Sequence, residues 1–311
     1  MSALISSNTI TNVFMHLSTK FSTPLSVRLF FSVRGTENLH VYLWLLKDLF
    51  WCLGYVYASS AFGSLALIFT ASMFVSAFKM KNTEEMYFLV HVFVWLFSNF
   101  WWMRSELAPT YYNTNGREQS GYMLFGANIF AMLYYIIFKW RPVGFFKNNE
   151  SIVCRYENAG FKPYFTYFEN WRQYEFLHIT CWALKDQSWM FKTAFLWVPS
   201  VILTLSISVD FIRVALKTQK NATDLTHYIV QLLWLSGNII WSAGEIFNIT
   251  PDTINPLFYP NSMSCRWVAS IVFTVAFVPI LVFYMLWIPL SYYELIRELD
   301  EESFEWRGVE A

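Results

Sequence analysis

Residues 39–52 read LHVYLWLLKDLFWC, and residues 177–190 read LHITCWALKDQSWM. Seven of the fourteen aligned positions are identical, and they include two tryptophans and an adjacent lysine and aspartate. Self-similarity at a long spacing is the sequence signature of a structural unit that occurs more than once. The match therefore predicts that the chain contains two copies of one unit.

Two further matches lie in the same order along the chain. WLFSNFWWMRSE (residues 95–106) aligns with WLSGNIIWSAGE (residues 234–245), and KMKNTEE (residues 79–85) aligns with KTQKNATD (residues 217–224) with one inserted residue. Tryptophan is a rare residue and charges are rare in apolar segments, so collinear matches that retain both favour duplication over coincidence.

The composition is that of a membrane protein. Hydrophobic residues make up 56% of the 311 residues and charged residues only 14%, whereas soluble domains are about 25% charged. Residues 53–78 and 267–293 contain no charge, and each is longer than the roughly 20 residues that cross a bilayer. The net charge is zero, which argues against a nucleic-acid partner. We expect a polytopic all-α membrane protein whose partner is the lipid bilayer and which carries bound lipid.

The apolar segments predict eight transmembrane helices in a parallel 4+4 internal duplication. Four spans per unit leave both copies in the same orientation, related by a pseudo-two-fold axis along the membrane normal. The predicted organisation is a basic, Ser/Thr-rich N-terminal arm (1–37), a first four-helix repeat (38–140), an inner-side linker (141–168), a second four-helix repeat (169–292) and an acidic C-terminal tail (293–311). The predicted helices are 38–56, 58–79, 85–107, 120–140, 170–190, 193–217, 225–247 and 266–292.

The distribution of basic residues predicts the topology. The arm, the linker, the tail and the loops after the second and sixth spans hold 16 of the 22 lysines and arginines. Because basic residues concentrate on the cytoplasmic side, both termini are expected there, or in the matrix if the membrane is the inner membrane of an organelle. The arm has no acidic residue before Glu37, which fits either a cytoplasmic-side arm or an organelle targeting signal.

Two polar stripes are what the repeats share. Positions i, i+4, i+7 and i+11 lie on one face of a helix, and such a face on the first and third helix of each unit carries tryptophan and polar residues. We expect these faces to meet in an interhelical polar network. Lys47 and Asp48 point about 100° apart on the helix, so we expect each to pair not with the other but with a neighbouring helix, through Asn99 or Glu106. The network residues are Lys47, Asp48, Asn99, Glu106, Lys185, Asp186, Asn238 and Glu245, and the stripe aromatics are Trp44, Trp51, Trp95, Trp102, Trp182, Trp189, Trp234 and Trp241.

The stripes have three alternative interpretations. Polar side chains can act as glue between membrane helices. Intramembrane charges can also mark the path of an ion or proton. Thirdly, histidines on facing helices can ligate a haem. The candidate haem or proton sites are His40, His91, His178 and His227.

The predicted function follows these alternatives. The first hypothesis is a small-solute or ion (proton) translocator, and the second is a non-catalytic structural subunit of a larger membrane complex, with other membrane subunits or further copies of itself as partners. A membrane redox protein with haem b is the third, and no other cofactor is predicted. The four cysteines have no metal-site spacing, and the chain contains none of the common hydrolase, P-loop or dinucleotide motifs, so no metal site and no catalytic residue are predicted.

The pattern WxLKDxxW, followed about 40 residues later by NxxWxxxE, resembles small four-helix bacterial membrane proteins that carry no functional assignment. The resemblance covers each unit and implies that this chain is a fused pair of such proteins. It implies an architecture and no activity. The residues that carry it are Lys47, Asp48, Asn99, Trp102 and Glu106, together with their counterparts in the second unit.

Overall fold

The computed structural model describes residues 33–111, 115–138, 171–216, 222–258, 260–290 and 292–293. Within these ranges the chain forms eight α-helices and no strand. The predicted linker, nearly all of the N-terminal arm and nearly all of the acidic tail lie outside the described residues.

The described helices overlap the eight predicted segments in position, and the crossing of a membrane by all eight stays a prediction. Most of their ends lie within a turn of the predicted positions. The helices are α1 (Val33–Cys52), α2 (Val56–Lys79), α3 (Thr83–Leu107), α4 (Gly116–Leu133), α5 (Trp171–Met190), α6 (Ala194–Val214), α7 (Ala222–Ile246) and α8 (Cys265–Val282). A π-helical turn extends α4 over Tyr134–Phe138 and α8 over Phe283–Trp287.

The end of α1 differs from its prediction. The helix was predicted to continue to residue 56, but it ends at Cys52. Gly54 adopts a φ of +77°, a left-handed conformation that glycine reaches without steric cost and that commonly ends a helix. The chain therefore reverses within three residues and enters α2.

Among the described residues, four helices are long and apolar enough to cross a membrane: α2, α3, α6 and the extended α8 (Cys265–Leu290). The face that α2 turns to the protein is mostly small or polar, while large apolar side chains such as Ile68 and Phe78 are 62% exposed. Small residues let membrane helices approach closely. A helix with small residues facing the protein and large apolar residues facing outward fits a surface in contact with lipid. The side chains that α2 buries are Ser59, Gly63, Ala66, Thr70, Met73 and Ala77.

The helices form a closed ring. Each helix packs against the next one in the chain, and α8 packs against α1. The odd-numbered helices also meet across the centre, since α1 contacts α7 and α3 contacts α5. The largest fully buried side chains are tryptophans from these four central helices, Trp51, Trp102, Trp189 and Trp241. The core is thus an aromatic column surrounded by α2, α4, α6 and α8.

Candidate functional site

Four tryptophans, one from each central helix, form a first layer across the core. We call Trp44, Trp95, Trp182 and Trp234 the first tryptophan layer. Neighbouring ring centroids are 4.5 Å apart for Trp44–Trp95 and for Trp182–Trp234, and 6.0 and 5.7 Å apart for the two remaining pairs. The rings meet edge to face or tilted, the arrangement that aromatic quadrupoles favour.

A second layer lies two helical turns further along. Trp51, Trp102, Trp189 and Trp241, the second tryptophan layer, also form a closed ring, with T-shaped contacts of 4.8 to 5.0 Å. Both layers take one residue from each of α1, α3, α5 and α7. These four helices therefore run in the same direction.

All four central helices carry one pattern, W-x3-[D/N]-x2-W. The polar position is Asp48 in α1, Asn99 in α3, Asp186 in α5 and Asn238 in α7. Comparison of the two halves of the chain does not reveal this four-fold similarity. The signal was nevertheless present, since α1 aligned with α3 shows it directly.

The polar positions form a layer between the tryptophans. Asp48 Oδ2 accepts hydrogen bonds from Trp234 Nε1 at 2.8 Å and from Asn238 Nδ2 at 3.5 Å. Asp186 Oδ2 accepts the equivalent bonds from Trp95 Nε1 at 2.8 Å and Asn99 Nδ2 at 3.4 Å. Each aspartate is thus held by a helix from the other half of the chain.

The expected partner of Asp48 was therefore wrong. An asparagine does bind Asp48, but it is Asn238 of α7 and not Asn99 of α3. Because α8 closes the ring, α1 also contacts α7 at the centre, and Asp48 faces that neighbour. Glu106, the other predicted partner, pairs with Arg266 instead.

The adjacent lysine and aspartate pair with each other, contrary to prediction. Lys47 Nζ lies 2.5 Å from Asp48 Oδ1, and Lys185 forms the same ion pair with Asp186. The lysine side chain is long and flexible enough to span the roughly 100° between neighbouring helix positions. Adjacent residues can therefore form an ion pair even though their Cα–Cβ bonds diverge. Lys47 is 4% exposed and Lys185 is fully buried, and the two ammonium groups lie 4.9 and 5.5 Å from the ring centroids of Trp51 and Trp189. Such cation–π contacts partly replace water around a buried charge.

An arginine from α8 closes the end of α1. Arg266 donates to the carbonyl oxygens of Trp51 at 2.7 Å and Cys52 at 3.1 Å, in the last turn of α1, where carbonyls lack α-helical partners. The Trp51 oxygen also accepts a hydrogen bond from the Gly54 N–H at 3.0 Å. It also pairs with Glu106 at 2.6 Å and with Asp252 at 3.2 Å. The positive charge additionally complements the negative end of the α1 dipole.

Arg117 in α4 does the same for α5. It donates to the carbonyl oxygens of Trp189 at 2.8 Å and Met190 at 3.1 Å and pairs with Glu245 at 2.6 Å. The guanidinium groups of Arg117 and Arg266 lie over the rings of Trp102 and Trp241, so all four tryptophans of the second layer have a cation over the ring. The sequence analysis missed both arginines because the loops before them differ in length and place them out of register.

The four histidines lie towards the opposite end of the core. His40 and His178 have equivalent surroundings. Each accepts a hydrogen bond from the tryptophan one turn later, at 2.8 Å from Trp44 and 3.0 Å from Trp182, and each contacts a hydroxyl group, of Thr70 or Ser208.

The other two histidines have dissimilar partners. His91 contacts Asn128 at 3.2 Å, whereas His227 contacts Tyr42 and Tyr284. Among the described residues there is no group of three or more His, Cys, Asp or Glu side chains that could hold a metal ion. Haem ligation stays a prediction.

A cavity of about 120 Å³ lies beside His40 and His178, at the end of the core beyond the first tryptophan layer. Arg172, Glu175 and Gln231 contribute polar groups to its wall, and the remaining lining is mostly apolar. Arg172 pairs with Glu85 at 2.5 Å and with Glu175 at 3.1 Å. The cavity therefore joins the histidine pair to a network of charged groups at the helix ends.

The central layer is electrically neutral and closed at both ends. It holds two ammonium and two carboxylate groups, and every one of these four residues is at most 6% exposed. Each aspartate is the charge partner of a buried lysine.

Comparison with protein-family models, curated proteins and solved structures gave no match to this chain. Its function has to be inferred from the geometry of these side chains.

Proposed function

We propose that the chain is an integral membrane protein that translocates protons, with Asp48 and Asp186 as the groups that take up and release them. The observation that carries the proposal is the pair of Lys–Asp contacts enclosed between two tryptophan layers. A charge at the centre of a bilayer costs about 2.5–3.5 kcal/mol on insertion scales. Apolar residues of similar volume can replace a buried ion pair without loss of stability, so a purely structural core has little need of two such pairs.

The tryptophan layers favour protons over a larger solute. Ring contacts of 4.5 to 6.0 Å close the centre on both sides of the charged layer. Indole N–H groups donate hydrogen bonds and cannot accept a proton, so the tryptophans do not form a proton wire by themselves. In this proposal a proton crosses each layer on water that enters when a tryptophan ring moves.

The two ends of the core supply access to the charged layer. At one end, the cavity beside His40 and His178 brings titratable groups to the edge of the first tryptophan layer. At the other end, the Arg117–Glu245 and Arg266–Glu106 pairs cover the second layer. Movement of an arginine away from the helix end that it caps would open that side.

In this proposal all eight helices cross the membrane as a parallel 4+4 duplication, with both termini on the cytoplasmic or matrix side. The matched contacts of Asp48 and Asp186, and of Arg117 and Arg266, support a duplicated unit. The mid-helix charges of α1 and α5 are buried and paired as Lys47–Asp48 and Lys185–Asp186, so they do not face lipid. The chain then corresponds to a fused pair of four-helix proteins.

Proton flux into proteoliposomes under an imposed membrane potential tests the proposal. Asp48→Asn combined with Asp186→Asn should abolish the flux, because neither position can then exchange a proton. If this double variant does not fold, Lys47→Met and Lys185→Met are added to it. The added substitutions remove the unpaired buried lysines, so that flux can be measured on a folded protein without the aspartates. Glu118→Gln, a substitution on the exposed surface of α4, is the control. Normal flux in a folded double aspartate variant would refute the proposal.

A non-catalytic structural subunit is the second candidate. The observation that favours it is that several buried polar contacts of the core join the two halves of the chain, as in Trp234–Asp48 and Arg266–Trp51. A purely structural role in a larger assembly would be enough to account for such contacts. The native mass of the protein, extracted from its own membrane in mild detergent, separates the candidates. A particle several times heavier than the 36.8 kDa chain favours the subunit, and a monomer or dimer favours translocation.

A further inference from the structure

The two arginine caps are not equivalent, and the difference lies at Glu245. Arg266 is buried and pairs with two carboxylates, those of Glu106 and Asp252. Arg117 is partly exposed, and its one ion pair within the described part of the chain is with Oε2 of Glu245. The other oxygen, Oε1 of Glu245, is buried and has no hydrogen-bond partner among the described residues.

An unpaired carboxylate oxygen in a buried position is costly, by more than an unpaired neutral group. Glu245 is 7% exposed, so bulk water does not reach it freely. Arg117 already supplies the charge partner of this carboxylate through Oε2, and an N–H donor of a ligand, strongest from an ammonium group, would supply the bond that Oε1 lacks. The ligand class that Glu245 favours is therefore an amine.

A pocket of about 420 Å³ lies against this side chain, beyond the second tryptophan layer. Its volume is in the range of about 300–1,000 Å³ that small-molecule sites occupy. Asn248, Thr250 and Asp252, from the loop after α7, add polar groups to its wall. Asp252 also places a second carboxylate at the pocket, so its acidic side is extended.

Lys192 supplies the opposite charge. It follows α5 with a φ of +52°, lines the same pocket and has an exposed side chain with no ion pair among the described residues. Besides the Arg117 guanidinium, which is paired with Glu245, the pocket therefore presents a carboxylate oxygen without a hydrogen-bond partner and an ammonium group without an ion pair among the described residues. A molecule that carries both an ammonium and a carboxylate group matches both.

We propose that this pocket binds a small zwitterionic amine of the free amino acid class, with its ammonium group on Glu245 and its carboxylate towards Lys192. The site is separate from the charged layer, and the proposal does not rest on proton translocation. Apolar contacts from Ile249 and Pro251 would accommodate a short side chain.

Binding of labelled glycine to the full-length protein in mild detergent tests the proposal, with methylammonium and acetate as competitors. Unlabelled glycine should displace the label best and methylammonium less well, because methylammonium meets Glu245 but leaves Lys192 without a partner. Acetate should displace it least, because acetate meets only the exposed Lys192. No glycine binding, or displacement by acetate as strong as by methylammonium, would overturn the proposal.

Three variants assign the contacts. Glu245→Gln should weaken glycine and methylammonium binding at least tenfold. Lys192→Ala, an exposed substitution that leaves the core intact, should remove the advantage of glycine over methylammonium. Glu118→Gln should change neither. If Glu245→Gln does not fold, the Lys192→Ala variant and the competition series still test the proposal. A Lys192→Ala variant that still prefers glycine over methylammonium would contradict binding of a zwitterion. Glycine binding without proton flux would refute only the translocation proposal, and flux without binding only this one.

Discussion

Asp48 of α1 accepts a 2.8 Å hydrogen bond from the indole nitrogen of Trp234 in α7, across the boundary between the two halves of the chain. The bond from Trp95 to Asp186, also 2.8 Å, crosses the boundary in the other direction. Each half therefore completes the charged site of the other. Neither Lys–Asp pair has its full set of partners within one half.

The buried ion pairs should behave differently when broken and when replaced. Asp48→Asn leaves Lys47 buried without a counter-charge, so we expect a loss of about 3–5 kcal/mol of stability. Lys47→Met combined with Asp48→Asn removes both charges and should recover most of that loss. Tryptophan fluorescence during thermal unfolding in detergent measures both. A double variant as unstable as the single one would mean that the ion pair itself, and not the avoidance of an unpaired lysine, stabilises the core.

The two tryptophan layers should differ in their sensitivity to the loss of the indole N–H. Trp95→Phe removes the bond to Asp186, and hydrogen bonds to charged groups contribute about 1.5–3 kcal/mol. Trp241→Phe makes the same reduction in volume, but the Trp241 nitrogen has no hydrogen-bond partner among the described residues. We therefore expect Trp95→Phe to lower the unfolding temperature more than Trp241→Phe. Equal effects would show that ring packing alone determines the contribution of both layers.

Packing of α7 on α8 depends on Gly237. A Cβ atom there would lie 2.4 Å from the fully buried ring of Phe273, so Gly237→Ala should cost about 1–3 kcal/mol. Gly126 in α4 is the matched control, because a Cβ atom at this position meets nothing within 4 Å. Gly126→Ala should be neutral or add up to about 1 kcal/mol through helix propensity. Unfolding midpoints of the two variants in detergent give the comparison, and a neutral Gly237→Ala would mean that Phe273 can move aside.

The two halves should associate when made as separate chains. Co-expressed fragments 1–150 and 151–311 are expected to co-purify, because each supplies hydrogen bonds to the aspartate and the helix end of the other. Arg266→Ala in the second fragment removes the cap on α1 and should reduce recovery of the complex. Affinity purification through a tag on one fragment measures this. Recovery that is unaffected by Arg266→Ala would assign the association to apolar packing alone.

Much of this architecture could be predicted from the order of residues. Long apolar segments located four of the described helices and helical periodicity indicated the others, since hydropathy and helical period are properties of a continuous stretch. The recurrence of Trp, Asp and Asn at helical spacing correctly indicated that the faces carrying Trp44 and Trp95 meet, as they do at 4.5 Å. Gly54 was the local exception, where a single backbone angle ended α1 early.

The partners inside the core could not be predicted in this way. Asp48 binds Asn238 because α8 closes the ring against α1, and ring closure is a property of all eight helices packed together. Arg117 and Arg266 reach the ends of helices that are distant in the chain, so no spacing in the sequence marks them. Helix formation depends on residues a few positions apart in the chain, so the positions of helices can be predicted from the sequence. Which charge meets which depends on the rotation and order of whole helices, and only the packed fold sets these.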